Sequence, residues 1–258
     1  MRYIQRMSVS RRASSYLQEK SKKVAALPTV KEKKDLVKRL WPTARKTKVF
    51  RTDVFQVLLD MAGKRQRCMY CEDSRGTDVE HFWPQAPYPE RVFEWLNLLL
   101  ACSGCQRAKG DRFPLDDECR PLLIDPTAED PWDYLYFAPQ TGFLTPRFEA
   151  ATGGECSKGR HTLDLLGPLN HEAVIEGRQA VWRRLQRAVE GFLEASDQAC
   201  ARTSESEAFD EMRRKIMETD DYGLAQWSFV GQGQEEEPFC SLKHNHPHLF
   251  NELRQVVR

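Results

Sequence analysis

A chain of 258 residues with 40% apolar and 30% charged residues can bury a sizeable core, which excludes an intrinsically disordered protein. The longest apolar run, Leu96 to Cys102, is broken by Asn97 and is too short to span a bilayer, and the N-terminus lacks the apolar core of a secretory signal. The net charge of +1 conceals a steep division: residues 1–67 hold 19 Lys/Arg against 5 Asp/Glu, a local excess of 14, so the remainder carries −13. Such a split suits a basic face for phosphates joined to an acidic body, or simply a solvated basic helical surface. The Arg- and Ser-rich start loosely matches an organellar transit peptide, but the chain as a whole reads as cytoplasmic.

Taken in chain order, residues 1–67 form a basic helical segment. Its last helix is expected to start at Thr52 as N-cap, with Asp53 in the first turn, Phe55, Leu58 and Leu59 on one face, and Gly63 as the stop. That helix delivers the chain into Cys68-Met-Tyr-Cys71, which is followed after 30 residues by Cys102-Ser-Gly-Cys105. Two C-x-x-C knuckles turn four thiolates toward one point, the tetrahedral arrangement zinc prefers, and a reducing cytosol disfavours a disulfide within either pair. A single redox C-x-x-C has no need of a second copy. The scattered Cys119, Cys156, Cys200 and Cys240 read as ordinary thiols.

Between the knuckles a structural zinc ribbon needs only short hairpins, yet this insert carries Val79-Glu80-His81-Phe82-Trp83-Pro84 and then Trp95-Leu96-Asn97-Leu98. His81 is expected at a strand end, Asn97 ahead of the following helix, and Cys102 to Lys109 on that helix's opening turns. Residues 116–150 are acidic and Pro-rich and read as loop with short strands. From Asn170 a long amphipathic helix runs through Val174, Val181, Trp182, Leu185, Val189 and Phe192 at helical spacing, a packing face. Gly231 to Pro238 reads as a loop, and a last helix starts near Pro247 with Leu249, Phe250 and Leu253 inward. His244, His246 and His248 alternate, but they lack neighbouring acids or cysteines and are not read as a metal site.

The order C-x-x-C, acid-His-Phe-x-Pro, Trp-x-Asn-Leu and A-C-x-x-C-x-x-x-K-G resembles the HNH (ββα-metal, His-Me finger) nucleases with a zinc-stapled finger. The opening Met-Arg-x-Ile, the Met-Tyr-Cys-Glu knuckle, Glu-His-Phe-x-Pro, and Lys109-Gly110 with Phe113-Pro114 are similar, more narrowly, to the PtuB family. These are the HNH subunits of Septu-type anti-phage systems, including retron-associated relatives. Leu123-Ile124-Asp125-Pro126 and the stretch from Thr162 through Leu165, Leu169 and Asn170 to Arg178 fit the same family's body. The likeness is dense over residues 66–126 and thin elsewhere.

The resemblance implies an α+β protein, mostly helical, with an embedded zinc-stapled ββα-metal finger. The segments are then 1–67, a nuclease finger at 68–115, and a mainly helical region at 116–258. His81 is the expected general base, since a neutral imidazole takes up a proton at cellular pH. Glu80 is the expected ligand of a catalytic Mg²⁺ or Mn²⁺, and Asn97 the brace that orients the base. Gln106 stands where the family usually has His or Asn. Its carbonyl oxygen can still ligate Mg²⁺, so the centre is either working with an unusual ligand or weakened. Lys109 is expected to face phosphate from the same helix, or to be an ordinary exposed lysine. Zinc on four thiolates is coordinatively closed and staples the fold.

The expected activity is phosphodiester hydrolysis of nucleic acid, DNA by default with RNA or tRNA also open, beside an ABC-type ATPase subunit in a hetero-oligomer. Two other readings stand: a non-catalytic zinc module that binds nucleic acid or a partner, and a restriction-type HNH enzyme acting alone.

Overall fold

Local sequence signals explain several of the helix boundaries in the computed structural model, which describes residues 1–197, 205–218 and 222–257. The Ser10 side chain accepts from the Ala13 N–H to open α1 (Arg11–Ala25). Thr29 and Glu32 form a reciprocal capping box at the start of α2 (Val30–Ala44). The third helix begins earlier than the sequence suggests. Thr47 Oγ1 accepts from the Phe50 N–H, and the chain then winds as a π-helical segment (Phe50–Phe55) into α3 (Gln56–Met61). Thr52 therefore lies inside a helical turn, its hydroxyl donating to the Lys48 carbonyl, and does not act as the cap. Gly63, with φ +77°, ends the helix as expected because only glycine adopts that conformation without strain.

Strand β1 (Asp78–His81) pairs antiparallel with β2 (Leu98–Ala101), placing His81 opposite Leu98 and Glu80 opposite Leu99. Helix α4 (Ser103–Lys109) follows directly, so the two strands and the helix form one contiguous strand–strand–helix unit. The acidic, Pro-rich stretch supplies two small hairpins, β3 (Leu135–Phe137) with β4 (Leu144–Pro146) and β5 (Phe148–Glu149) with β6 (Gly154–Glu155). The rest of the described chain is helical: α5 (Ser157–Leu165), the 26-residue α6 (Glu172–Asp197), α7 (Glu205–Glu218), α8 (Leu224–Phe229), α9 (Phe239–Asn245) and α10 (Pro247–Val256). Val174, Val181, Trp182, Leu185, Val189 and Phe192 are all buried along α6, and Pro247 opens α10 over buried Phe250 and Leu253. Gly231 to Pro238, read as loop, contains a short 3₁₀ turn (Gln232–Glu235). Cys200 lies outside the described residues.

One hydrophobic core runs from the N-terminal segment through the strand–strand–helix unit into the C-terminal helices. Polar contacts join the same parts. Arg6 donates to the Leu98 carbonyl at 2.7 Å and stacks over Trp95, and the Ile4 N–H donates to the Pro126 carbonyl. In the C-terminal body, buried Arg178 donates to the carbonyls of Gly142 and Leu169 and to Asn170 Oδ1. Asn170 in turn exchanges two hydrogen bonds with the Leu144 backbone, tying α6 to the β3–β4 hairpin. No helix among the described residues is long and apolar enough to cross a membrane.

A four-thiolate cluster beside a charged pocket

The knuckles meet where the two-stranded sheet passes into α4. Backbone bonds shape the first: the Glu72 N–H donates to the Cys68 carbonyl, and the Met69 N–H donates to the Leu100 carbonyl of β2. Gly76 sits against Leu100 so closely that a Cβ would lie 2.4 Å from its side chain, so glycine is what lets this loop pack on the strand. In the second knuckle Cys102 is the N-cap of α4, its sulfur accepting from the Cys105 N–H. All four thiols are buried, and their sulfurs lie within 4.8 Å of one another, with Cys71 and Cys102 at 3.9 Å. Tetrahedral zinc with Zn–S bonds of about 2.3 Å separates its sulfurs by about 3.8 Å, so the four cysteines fit such an ion. Among the described residues this is the one cluster of His, Cys, Asp or Glu side chains with metal-binding geometry. His246 instead pairs with Glu205 and packs against the Phe192 ring.

His81 ends β1 and is only 3% exposed. Its Nε2 lies 3.1 Å from the Val92 carbonyl and its Nδ1 lies 3.0 Å from Gln85 Nε2. A carbonyl can only accept and an amide N–H₂ can only donate, so Nε2 carries the proton and the Nδ1 lone pair points to Gln85. The Trp41 ring meets the imidazole edge-on at 4.5 Å.

Asn97 is fully committed nearby: Oδ1 accepts from the Trp83 N–H at 2.6 Å, and Nδ2 donates to the Trp83 and Arg91 carbonyls. By pinning Arg91 it fixes the adjacent Val92 carbonyl from which the imidazole hangs. The bracing is thus indirect, through backbone rather than by touching the ring.

Burial pushes the imidazolium of His81 down to about 3, because the charged form loses its hydration. The unfolded chain binds that proton near pH 6.5. Between these values the unfolded state holds more protons, so this group's contribution to stability is complete above about pH 6.5 and is lost as pH falls toward 3. The expected outcome is a urea midpoint that declines below pH 6.5, with a limiting slope of about 1.4 kcal/mol per pH unit from this residue. Titrating His81→Asn in parallel should give a shallower decline; an unchanged slope would mean the imidazole is not held neutral.

Lys109 is placed differently from expectation, and Glu80 beside His81 is its partner. Lys109 is completely buried instead of facing solvent or a phosphate: its Nζ donates to Glu80 Oε1 at 2.8 Å and to the His81 carbonyl at 2.7 Å. Position 109 lies one helical turn beyond Cys105 and so shares its inward face. Burial raises the Glu80 carboxyl above its ordinary range, and the Lys109 charge opposes that rise.

Glu80, His81 and Gln106 all line one pocket of about 620 Å³. Its far wall is α2, which contributes Lys34, Lys38 and Trp41, with Arg45 just beyond the helix end paired to Asp78. Gln106 Nε2 is buried with no hydrogen-bond partner, and the amide can present its oxygen in the same place. The pocket is thus lined by three carboxylates, Asp78, Glu80 and Asp111, and by three cations, Lys34, Lys38 and Arg45, with the unpartnered Gln106 amide nitrogen among them. Sequence reasoning did not single out Gln85, Trp41, Lys34, Lys38 or Asp111. Positions 34, 38, 41 and 45 follow helical spacing, which was the available signal, but nothing in the sequence shows that this stripe faces His81.

These features define a strand–strand–helix finger whose two cysteine knuckles can share one metal ion and whose buried histidine adjoins a pocket walled on one side by the lysines of α2. No family model matches the chain. The chain does resemble a curated protein, the Septu protein PtuB of Bacillus thuringiensis, at 28% identity over 145 residues, which covers 54% of this chain and 50% of that protein. The match therefore spans about half the length of the relative.

Proposed function

We propose that the chain is a metal-dependent HNH-type endonuclease that hydrolyses phosphodiester bonds in anti-phage defence. The observation that carries this reading is the shared pocket: His81, Glu80 and Gln106 converge on a space whose opposite wall bears Lys34, Lys38 and Arg45. Phosphodiester hydrolysis needs a base for water, positive charge at the phosphate and a fixed geometry between them. His81 Nδ1 is the basic atom once Gln85 gives way, and the Val92 carbonyl holds the ring in the tautomer that leaves Nδ1 unprotonated. Glu80 and Gln106 supply oxygen donors of the type Mg²⁺ or Mn²⁺ takes, and the orphaned Gln106 amide fits that role. Such an ion, when bound, polarises the phosphate and stabilises the leaving oxygen. The zinc-type cluster holds the finger's shape and takes no part in the chemistry.

The likeness to PtuB supports a place in a Septu-type system, working in a hetero-oligomer with an ABC-type ATPase subunit that contacts the acidic C-terminal helices. DNA is the favoured substrate, with RNA or tRNA the other candidates. One observation favours a non-catalytic zinc module instead, namely that Gln85 already occupies the Nδ1 lone pair. The two readings separate on one assay: purified chain with Mg²⁺ or Mn²⁺ against plasmid and tRNA. The nuclease reading expects cleavage that depends on added Mg²⁺ or Mn²⁺ and that Glu80→Gln reduces by at least about 100-fold, a typical loss for a group acting on transition-state charge. No cleavage by the chain, alone or with its ATPase partner, supports the binding module.

A further inference from the structure

The cations of the pocket share one wall, and that arrangement selects among nucleic acids. Lys34, Lys38, Trp41 and Arg45 fall on one stripe of α2 and its C-terminal end, and neither lysine has an acidic partner among the described residues. Eleven residues at 1.5 Å rise put Lys34 and Arg45 about 16 Å apart, a span of several phosphates. Past Arg45 the surface continues into a second hollow of about 340 Å³ that shares Arg45 and Val79 with the first. Its lining adds Lys46, Arg51 and the half-buried Phe55 ring, and no acidic side chain.

Access to the base is the second constraint. His81 lies across the pocket from this wall at 3% exposure, with Trp41 against its edge and Gln85 over Nδ1. The Arg45–Asp78 ion pair joins α2 to β1 across the pocket. A duplex presents each phosphate on the rim of a stiff cylinder with the second strand alongside, so its backbone cannot bend into such a recess without unstacking. An unpaired strand bends freely and leaves its bases available to ring faces.

We propose that the pocket takes single-stranded nucleic acid, one phosphate chain running along Lys34 and Lys38, past His81, and into the Arg45–Lys46–Arg51 hollow. This rests on the nuclease reading for the role of His81, but the binding geometry is tested without cleavage. The probes are labelled single-stranded DNA, single-stranded RNA and a DNA duplex of the same sequence, titrated with zinc-loaded His81→Ala in buffer without added Mg²⁺ or Mn²⁺ and followed by fluorescence anisotropy. At least one single strand should bind about tenfold or more tighter than the duplex, and whether DNA or RNA is tighter identifies the natural source. Lys34→Gln/Lys38→Gln should weaken that strand about tenfold and reduce the log–log salt slope by about 1.4, near 0.7 for each phosphate no longer neutralised.

Equal or tighter duplex binding, binding of none of the probes, or a double variant that binds like its parent overturns the proposal. Cleavage of duplex by wild type alongside duplex-tight binding would sink the single-strand inference and spare the nuclease reading. Strand-selective binding with no cleavage would do the reverse.

Discussion

Cys105→Ser is expected to abolish both metal content and cooperative folding of the finger, whereas Cys240→Ser leaves both unchanged. The four knuckle sulfurs are buried and gathered within 4.8 Å, while Cys240 is only half-buried and outside the cluster. Without an ion, nothing directly bonds the four converging sulfurs; the first knuckle is otherwise held by core packing, backbone bonds to β2, the Arg2–Glu72 ion pair and the Tyr222–Asp73 hydrogen bond. Structural zinc in small sites contributes on the order of 10 kcal/mol to folding, comparable with the whole stability of a typical domain. The loss therefore spreads past the knuckles. Leu99, Leu100 and Ala101 are buried on β2, so disordering the loops exposes core. Elemental analysis and a thermal melt check this together: one zinc per wild-type chain, none in Cys105→Ser, and a melt lacking a sharp transition. Retention of zinc and of the wild-type midpoint in Cys105→Ser would remove the cluster from its structural role.

Lys109→Met is expected to cost about 3–5 kcal/mol, the range for breaking one partner out of a buried ion pair. Lys109 is fully buried, and its Nζ bonds both the Glu80 carboxylate and the His81 carbonyl. Removing the ammonium leaves the mostly buried Glu80 carboxylate without its ion-pair partner. In a chain this long each kcal/mol moves the melting midpoint by about 2–4 °C, so a fall of roughly 10 °C is the expected reading in buffer free of divalent ions. Adding Glu80→Gln to Lys109→Met should restore part of that loss, because the stranded charge is gone. A double variant no more stable than Lys109→Met would show that the penalty lies in packing and not in the charge. The pair also bears on function: the lysine joins two neighbouring residues of β1 to α4, so it sets where Glu80 sits relative to His81.

Local chemistry was readable in the sequence, and long-range placement was not. The C-x-x-C spacing foretold four converging thiols because a knuckle's geometry is set within a few residues. The α6 face and the Pro247 helix start were legible for the same reason, as periodicity and capping are local. Thr52 misled because Thr and Asp both look like caps, while the Thr47 hydroxyl, five residues earlier, already accepts the Phe50 N–H that opens the helix. Lys109 misled more instructively. Lysines on short helices are usually solvated, and only the tertiary position of Glu80, 29 residues away in sequence, makes a buried ammonium tolerable. The basic arm's charge was plain from composition, but that α2 walls the His81 pocket depends on packing between segments far apart in the chain. The Gln85 contact with Nδ1 belongs to the same class.

Single-turnover cleavage by His81→Ala tests most directly the proposal that His81 is the base of a metal-dependent nuclease. Wild type and variant are compared with Mg²⁺ or Mn²⁺ on the best substrate, with zinc content and far-UV spectrum measured on the same preparations. The expected result is a rate lowered by at least about 1,000-fold, within the range general-base catalysis supplies, in a protein that keeps its zinc and its helices. Cleavage at the wild-type rate in that intact variant would contradict the claim.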